Sequence, residues 1–283
     1  MTTSQHLQRA VARVDSSPIE RGMTAAHRVR PLVPPGSWGA ADPFLLLMED
    51  WFPLGVFDNH PHRGIETVTY VVEGSIEHYD NHGNTGTIGP GDALWLTAGR
   101  GIIHNERPGA GQIAHVLQLW VNLPRAHKLA RPAFQELRGA EVPVRREPGA
   151  ELRVFSGASG SAVAQTHNYA QVLLVEVRLE PGAVVEQELP AGYNGFLVLL
   201  EGQGIVGSAA TAVAAGQVAW LTPSDGPSTF GMRGGENGMR ALLMAGLPLR
   251  EPVVAQGPFV MNSREEIQQA YADFRRQGDQ FGQ

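Results

Sequence analysis

His60-Pro-His62 and His104-Asn-Glu106 are two pairs of side chains spaced i, i+2, and together they offer three imidazoles and one carboxylate. Those groups suit a divalent transition ion of borderline softness. An octahedral ion held by four such donors keeps two positions free for a substrate and O2, which favours Fe(II), although Mn, Ni, Cu or Zn would fit the same set. On a β-strand the i, i+2 spacing places both side chains on one face, so two neighbouring strands can aim all four groups at a common point. Glu66, four residues after His62, competes with Glu106 for the carboxylate role. Its other reading is a supporting carboxylate behind the ligands, paired with Arg63.

The elements that must carry these groups read as short strands. Runs rich in β-branched and aromatic residues, at 66–72, 113–121, 171–179 and 196–200, are separated by turn signals such as Asn81-His82-Gly83-Asn84 and Gly89-Pro90-Gly91-Asp92. That punctuation is expected of an all-β protein built as jelly-roll barrels. An internal repeat doubles the barrel: Gly91-Asp-Ala-Leu-Trp95-Leu-Thr97 matches Gly216-Gln-Val-Ala-Trp220-Leu-Thr222, and Val72-Glu73-Gly74 matches Leu200-Glu201-Gly202. Two tandem domains are therefore expected, 1–134 with the metal site and 135–283 without one, with the Pro- and Arg-rich stretch 124–148 as linker. Counting from the shared glycines, the positions equivalent to His60, His62, His104 and Glu106 are Glu188, Pro190, Thr229 and Gly231, which form no ligand set. Only the end reads as helix: Ser263-Arg-Glu-Glu266 has capping-box form, and Ile267, Ala270, Tyr271 and Phe274 share a face before Gly278, giving about three turns.

Composition narrows the function classes. The chain has 283 residues, a net charge of −6 and one lysine, Lys128, so no basic stripe is available for a phosphate backbone and direct nucleic-acid binding is not expected. Cysteine is absent, which removes disulfides and thiolate chemistry. No apolar run reaches the roughly 18 residues of a membrane span, and the first twenty residues lack a signal-type apolar segment, so a soluble cytoplasmic protein is expected.

Other features carry less. Gly202-Gln-Gly204-Ile-Val-Gly207 imitates a dinucleotide fingerprint, but its alignment with the Gly74 hairpin and the lack of βαβ units argue against one. His78 and His82 read as solvated turn residues, His115 as a core or pocket-wall histidine, and Arg100 as a structural salt-bridge residue. His6, His27, His127 and His167 carry no spacing signal.

His60-Pro-His62-Arg-Gly-Ile-Glu66-Thr-Val-Thr, followed by Thr97-Ala-Gly-Arg-Gly-Ile-Ile-His104-Asn-Glu106, resembles the pirin family of bicupins. Gln118-Leu-Trp-Val-Asn-Leu-Pro124, Leu249-Arg-Glu-Pro252 and Gly257-Pro-Phe-Val-Met-Asn262 look like further signature stretches of that family, whereas 132–165 shows little likeness. The resemblance implies a bicupin fold and a mononuclear metal on His60, His62, His104 and Glu106, with Glu66 in support and a degenerate second cupin. It further implies an activity of quercetin 2,3-dioxygenase type, in which a flavonol binds through its 3-hydroxyl, Glu106 accepts the proton, and the central ring is opened by O2. The alternative that it implies is a non-catalytic, iron-dependent regulator acting through protein partners in transcription or central metabolism. A monomer is expected, since the two halves of a bicupin already pack together.

Overall fold

The computed structural model describes residues 7–36 and 38–283, and strands dominate throughout. The chain forms two compact units, and they divide it differently from a single cut at 134/135. The unit built on the first repeat comprises Pro18–Ala140, Asn168–Ala170 and Leu249–Gln283. The other comprises Glu141–His167, Gln171–Pro248 and, of the described N-terminal residues, 7–17. Backbone pairing explains the exchange of ends: Val11–Ser16 adds antiparallel to Gln217–Leu221, while the terminal helix buries Ile267 and Ala270 against Phe259, Met261 and Phe281 of the first-repeat unit. The 124–148 stretch is more ordered than a linker. Ala133–Leu137 pairs with Ala93–Thr97 and Val144–Glu147 with Ala150–Ser156, because its β-capable residues satisfy their backbone groups on sheet edges.

In the first-repeat unit a seven-stranded antiparallel sheet faces a four-stranded one. The larger runs in the order Ala133–Leu137, Ala93–Thr97, Ile65–Glu73, Ile113–Asn122, Phe44–Pro53, Arg28–Val33, Glu20–Arg21. The smaller runs His60–His62, Ile102–Pro108, Ile76–Asp80, Thr85–Ile88. Ile65, Val71, Leu94, Leu96 and Ile102 close the core between them, each fully buried. Ile65–Glu73 is central and buried on both faces up to its last residue, so its sequence lacks the clean alternation of a half-exposed strand.

The second unit is built on a ten-stranded sheet whose longest strands, Asn194–Val206 and Ser228–Gly246, pair with each other, and it adds a two-stranded sheet of Ala158–Ser159 and Ala162–Val163. The fingerprint-like glycines lie along Asn194–Val206 and its turn, where Gln203 to Val206 pair with Thr211 to Ala214 in a hairpin.

The terminal helix spans Arg264–Gln277, between the two residues that the sequence marks as its ends and closer to four turns than three, with both halves of the Ser263/Glu266 capping box formed and Gly278 as C-cap at φ 53°.

Candidate metal centre

The site is built by strand register. His104 stands opposite His60 in the pair formed by Ile102–Pro108 and His60–His62, while Ile102 stands opposite His62. On its other edge Ile102–Pro108 pairs with Ile76–Asp80, which sets Glu106 opposite His78 and His104 opposite Asp80. Opposed residues in an antiparallel pair project from the same face. One sheet face therefore carries His60, His62, His104, Glu106, His78 and Asp80, and it is the face toward the core.

One nitrogen from each of His60, His62 and His104 lies within 4.8 Å of the other two, and the ring centroids are 4.5 to 5.1 Å apart. Glu106 falls in an overlapping group instead, with His104 and His78, again within 4.8 Å. Its carboxylate accepts from Thr69 Oγ1 at 2.8 Å and from Gln118 Nε2 at 3.1 Å, both reaching across from the larger sheet. Among the described residues, no comparable donor group occurs in the second unit. Glu188 there is exposed and pairs with Arg145.

Hydrogen bonds fix which nitrogens are free. His60 Nδ1 lies 2.8 Å from the Asp58 carbonyl and His62 Nδ1 lies 3.3 Å from that of Pro258, so both rings donate there and present bare Nε2 atoms. Trp120 holds the His62 ring edge-on at 5.1 Å. His104 is 1% exposed, yet neither of its ring nitrogens has a hydrogen-bond partner. Two orphaned buried nitrogens beside two other bare ones fit a metal ion, since an imidazole left this way otherwise pays its full desolvation cost. Burial, together with neighbouring His60, lowers the His62 pKa to about 3. Burial and the surrounding imidazoles push His104 well below its ordinary value. Both rings are thus neutral and ready to coordinate at neutral pH.

Glu66 points away from this cluster. Thr69 reaches Glu106 from one face of Ile65–Glu73, and Glu66, three residues earlier, is on the opposite face. Its carboxylate accepts from Thr97 Oγ1 at 2.8 Å. Burial raises its pKa to about 7 against the opposing pull of Thr97, Trp95 and the Tyr169 backbone. Arg63 does not pair with it; its guanidinium donates to Asp273 at 2.9 Å and to the Arg100 carbonyl at 2.7 Å, tying the His-Pro-His-Arg turn to the terminal helix.

Several other histidines and basic residues also differ from their sequence reading. His78 is no solvated turn residue: it is 2% exposed, stacked on Phe134 with centroids 4.6 Å apart. His82 does lie in the exposed turn. His115 stacks on Trp51 and lies 2.8 Å from Glu49, on the strand face opposite Gln118, and so cannot reach the donors. Arg100 donates to the Gly282 carbonyl rather than to a carboxylate. His6 lies outside the described residues.

A cavity of about 980 Å³ opens beside the donors, with His60, His62, Glu106 and Gln118 among its lining. Its walls are mostly apolar and include Leu46, Met48, Phe52, Val116 and Trp120. The polar groups in the wall include a pair with no spacing signal in the sequence: His27 Nε2 is 2.8 Å from Asp50 Oδ1, while His27 Nδ1 accepts from the Met23 amide at 3.0 Å. Lys128 carries no such signal either. The residue is 3% exposed, and its ammonium donates to the carbonyls of Gly64 at 2.8 Å and Val260 at 2.9 Å and to Asn122 Oδ1, bracing the turn that follows His62.

Comparison with known proteins agrees with this architecture. Residues 40–121 match the Pirin family and residues 174–281 the Pirin C-terminal cupin domain. Pirin-1 of Arabidopsis thaliana is 40% identical over 243 residues, covering 85% of this chain and 84% of its own. A crystal structure from Geobacillus kaustophilus superposes with a TM-score of 0.86 at 46% identity, covering 88% of this chain and all of that one. Quercetin 2,3-dioxygenase from Acinetobacter baumannii superposes at 0.83 with 28% identity, over 97% and 99% of the two chains. A bicupin whose first-repeat unit gathers histidines at a buried face and whose second does not, the chain belongs to the pirin family.

Proposed function

We propose that this pirin is a mononuclear metal enzyme of the quercetin 2,3-dioxygenase type, holding Fe(II) on His60, His62, His104 and Glu106 and cleaving a flavonol-like aromatic substrate with O2. The observation that carries the reading is the convergence of three imidazoles at one end of a largely apolar cavity of about 980 Å³, a volume suited to a flat polycyclic ligand. The likeness to the Acinetobacter baumannii dioxygenase along almost the whole chain supports it.

A divalent ion on these donors supplies Lewis acidity that lowers the pKa of a coordinated hydroxyl, and iron adds redox access to O2. The remaining work belongs to the side chains. Leu46, Met48, Phe52 and Trp120 hold the aromatic body and exclude water. Glu106, positioned by Thr69 and Gln118, accepts the proton of the substrate hydroxyl and holds it within the cavity. Asp50, steadied by His27, offers an acceptor for a second hydroxyl farther along the wall.

The test is anaerobic loading with Fe(II), addition of quercetin, then admission of air. Bleaching of the flavonol absorption with stoichiometric O2 uptake is expected, and its loss together with the iron in His62→Ala. A stable flavonol band over the iron-loaded chain in air would reject the reading.

A further inference from the structure

The cluster holds one more histidine than this function uses. His78 is buried, faces the same core as the ligands, and stands opposite Glu106 in register. Its Nε2 lies 3.4 Å from Asp80 Oδ2, and both side chains are fully shielded from solvent. Its Nδ1 has no hydrogen-bond partner. A carboxylate on one ring nitrogen with a bare lone pair on the other is the arrangement that orients a histidine for metal binding. The second donor group is then complete, with His78, His104 and a Glu106 carboxylate oxygen within 4.8 Å of one another.

We propose that His78, His104 and Glu106 form a second seat for the metal ion, sharing His104 and Glu106 with the seat made by His60, His62, His104 and Glu106. The second seat takes the same class of ligand, a divalent ion of borderline softness, through two imidazole nitrogens and one carboxylate oxygen. The two seats differ in access. His60 and His62 line the cavity, and His60 is only half-buried, whereas His78 and His104 are 2% and 1% exposed and do not line it. The inner seat thus retains an ion when the outer histidines release it, and Glu106 serves both the ion and the substrate side. The inference rests on the reading that the outer histidines bind metal.

Co(II) is the probe, followed by calorimetric titration and by its visible absorption. The unaltered chain is expected to bind one equivalent. His60→Ala with His62→Ala is expected to keep one equivalent at an affinity about 100-fold lower, and adding His78→Ala to weaken it a further ~10- to 100-fold, as loss of a donor does. His78→Ala alone, with the outer seat intact, is expected to change affinity by no more than about threefold. No uptake by the double variant, or an affinity of the double variant unchanged when His78→Ala is added to it, would overturn the second seat while leaving the outer one standing. No uptake by the unaltered chain would overturn both. If circular dichroism shows the alanine pair unfolded, His60→Asn with His62→Asn replaces it and the same two results decide.

Discussion

The Lys128 ammonium sits 2.8 Å from the carbonyl oxygen of Gly64, so the chain's single lysine is committed to the turn between His62 and the central strand. Gly64 adopts φ 79°, and a Cβ there would be driven into the Val260 carbonyl oxygen, to which Lys128 also donates. Turn, C-terminal segment and lysine are thus one assembly, and it fixes the course of the chain on leaving the His-Pro-His motif. Replacing Lys128 by Met keeps the apolar stem but strands three acceptors, which should cost about 2–4 kcal/mol of stability and, by loosening His62, about tenfold in metal affinity. Chemical denaturation and Co(II) titration of K128M measure both. Gly64→Ala should be harsher, because the clash falls on backbone.

His104 gives the metal-free chain a buried imidazole with no partner. A saturating divalent ion should therefore raise the melting temperature, by an amount corresponding to about 2.7 kcal/mol at a hundred times the dissociation constant. His104→Leu should match or exceed the metal-free stability of the unaltered chain and gain nothing from metal. Melting curves with metal and with chelator read both arms. A metal-free H104L chain more than about 2 kcal/mol less stable would contradict the argument that the imidazole is a burden without its ion.

Glu66 predicts a dependence of stability on pH. Its folded pKa of about 7 exceeds the ordinary 4.5, so between those values the folded chain binds more protons than the unfolded one. Stability from this group is full below pH 4.5 and is lost as pH rises to about 7. Glu66→Gln keeps a neutral, hydrogen-bonding side chain, so its stability relative to the unaltered chain should grow from pH 5 toward pH 8. A constant gap would show that Glu66 ionises freely in the folded state.

Metal affinity should respond weakly to acid. Three ordinary imidazoles would give an apparent affinity falling about a thousandfold per pH unit below their pKa. With His62 at about 3 and His104 well below its usual value, neither takes up a competing proton near pH 6. The slope of log affinity against pH between 5.5 and 6.5 should be about one or less. Competition titration with a chromophoric chelator measures it.

The sequence by itself determined the β class, the doubling of the barrel and the terminal helix, and it singled out His60, His62, His104 and Glu106 as candidate donors. Those features are local: i, i+2 spacing, a repeated Gly-Asp/Gln-x-x-Trp-Leu-Thr segment, a capping box. Only the tertiary structure decided which donors share a face with which, because register between strands far apart in sequence is set by core packing and turn geometry. His78, in the middle of Ile76–Asp80, read as a turn residue until pairing with Ile102–Pro108 placed it opposite Glu106. Glu66 read as a rival ligand until the parity of a strand buried on both faces turned it away. The exchange of chain ends was equally illegible, since a segment's own residues do not say which sheet edge or apolar face will complete its burial.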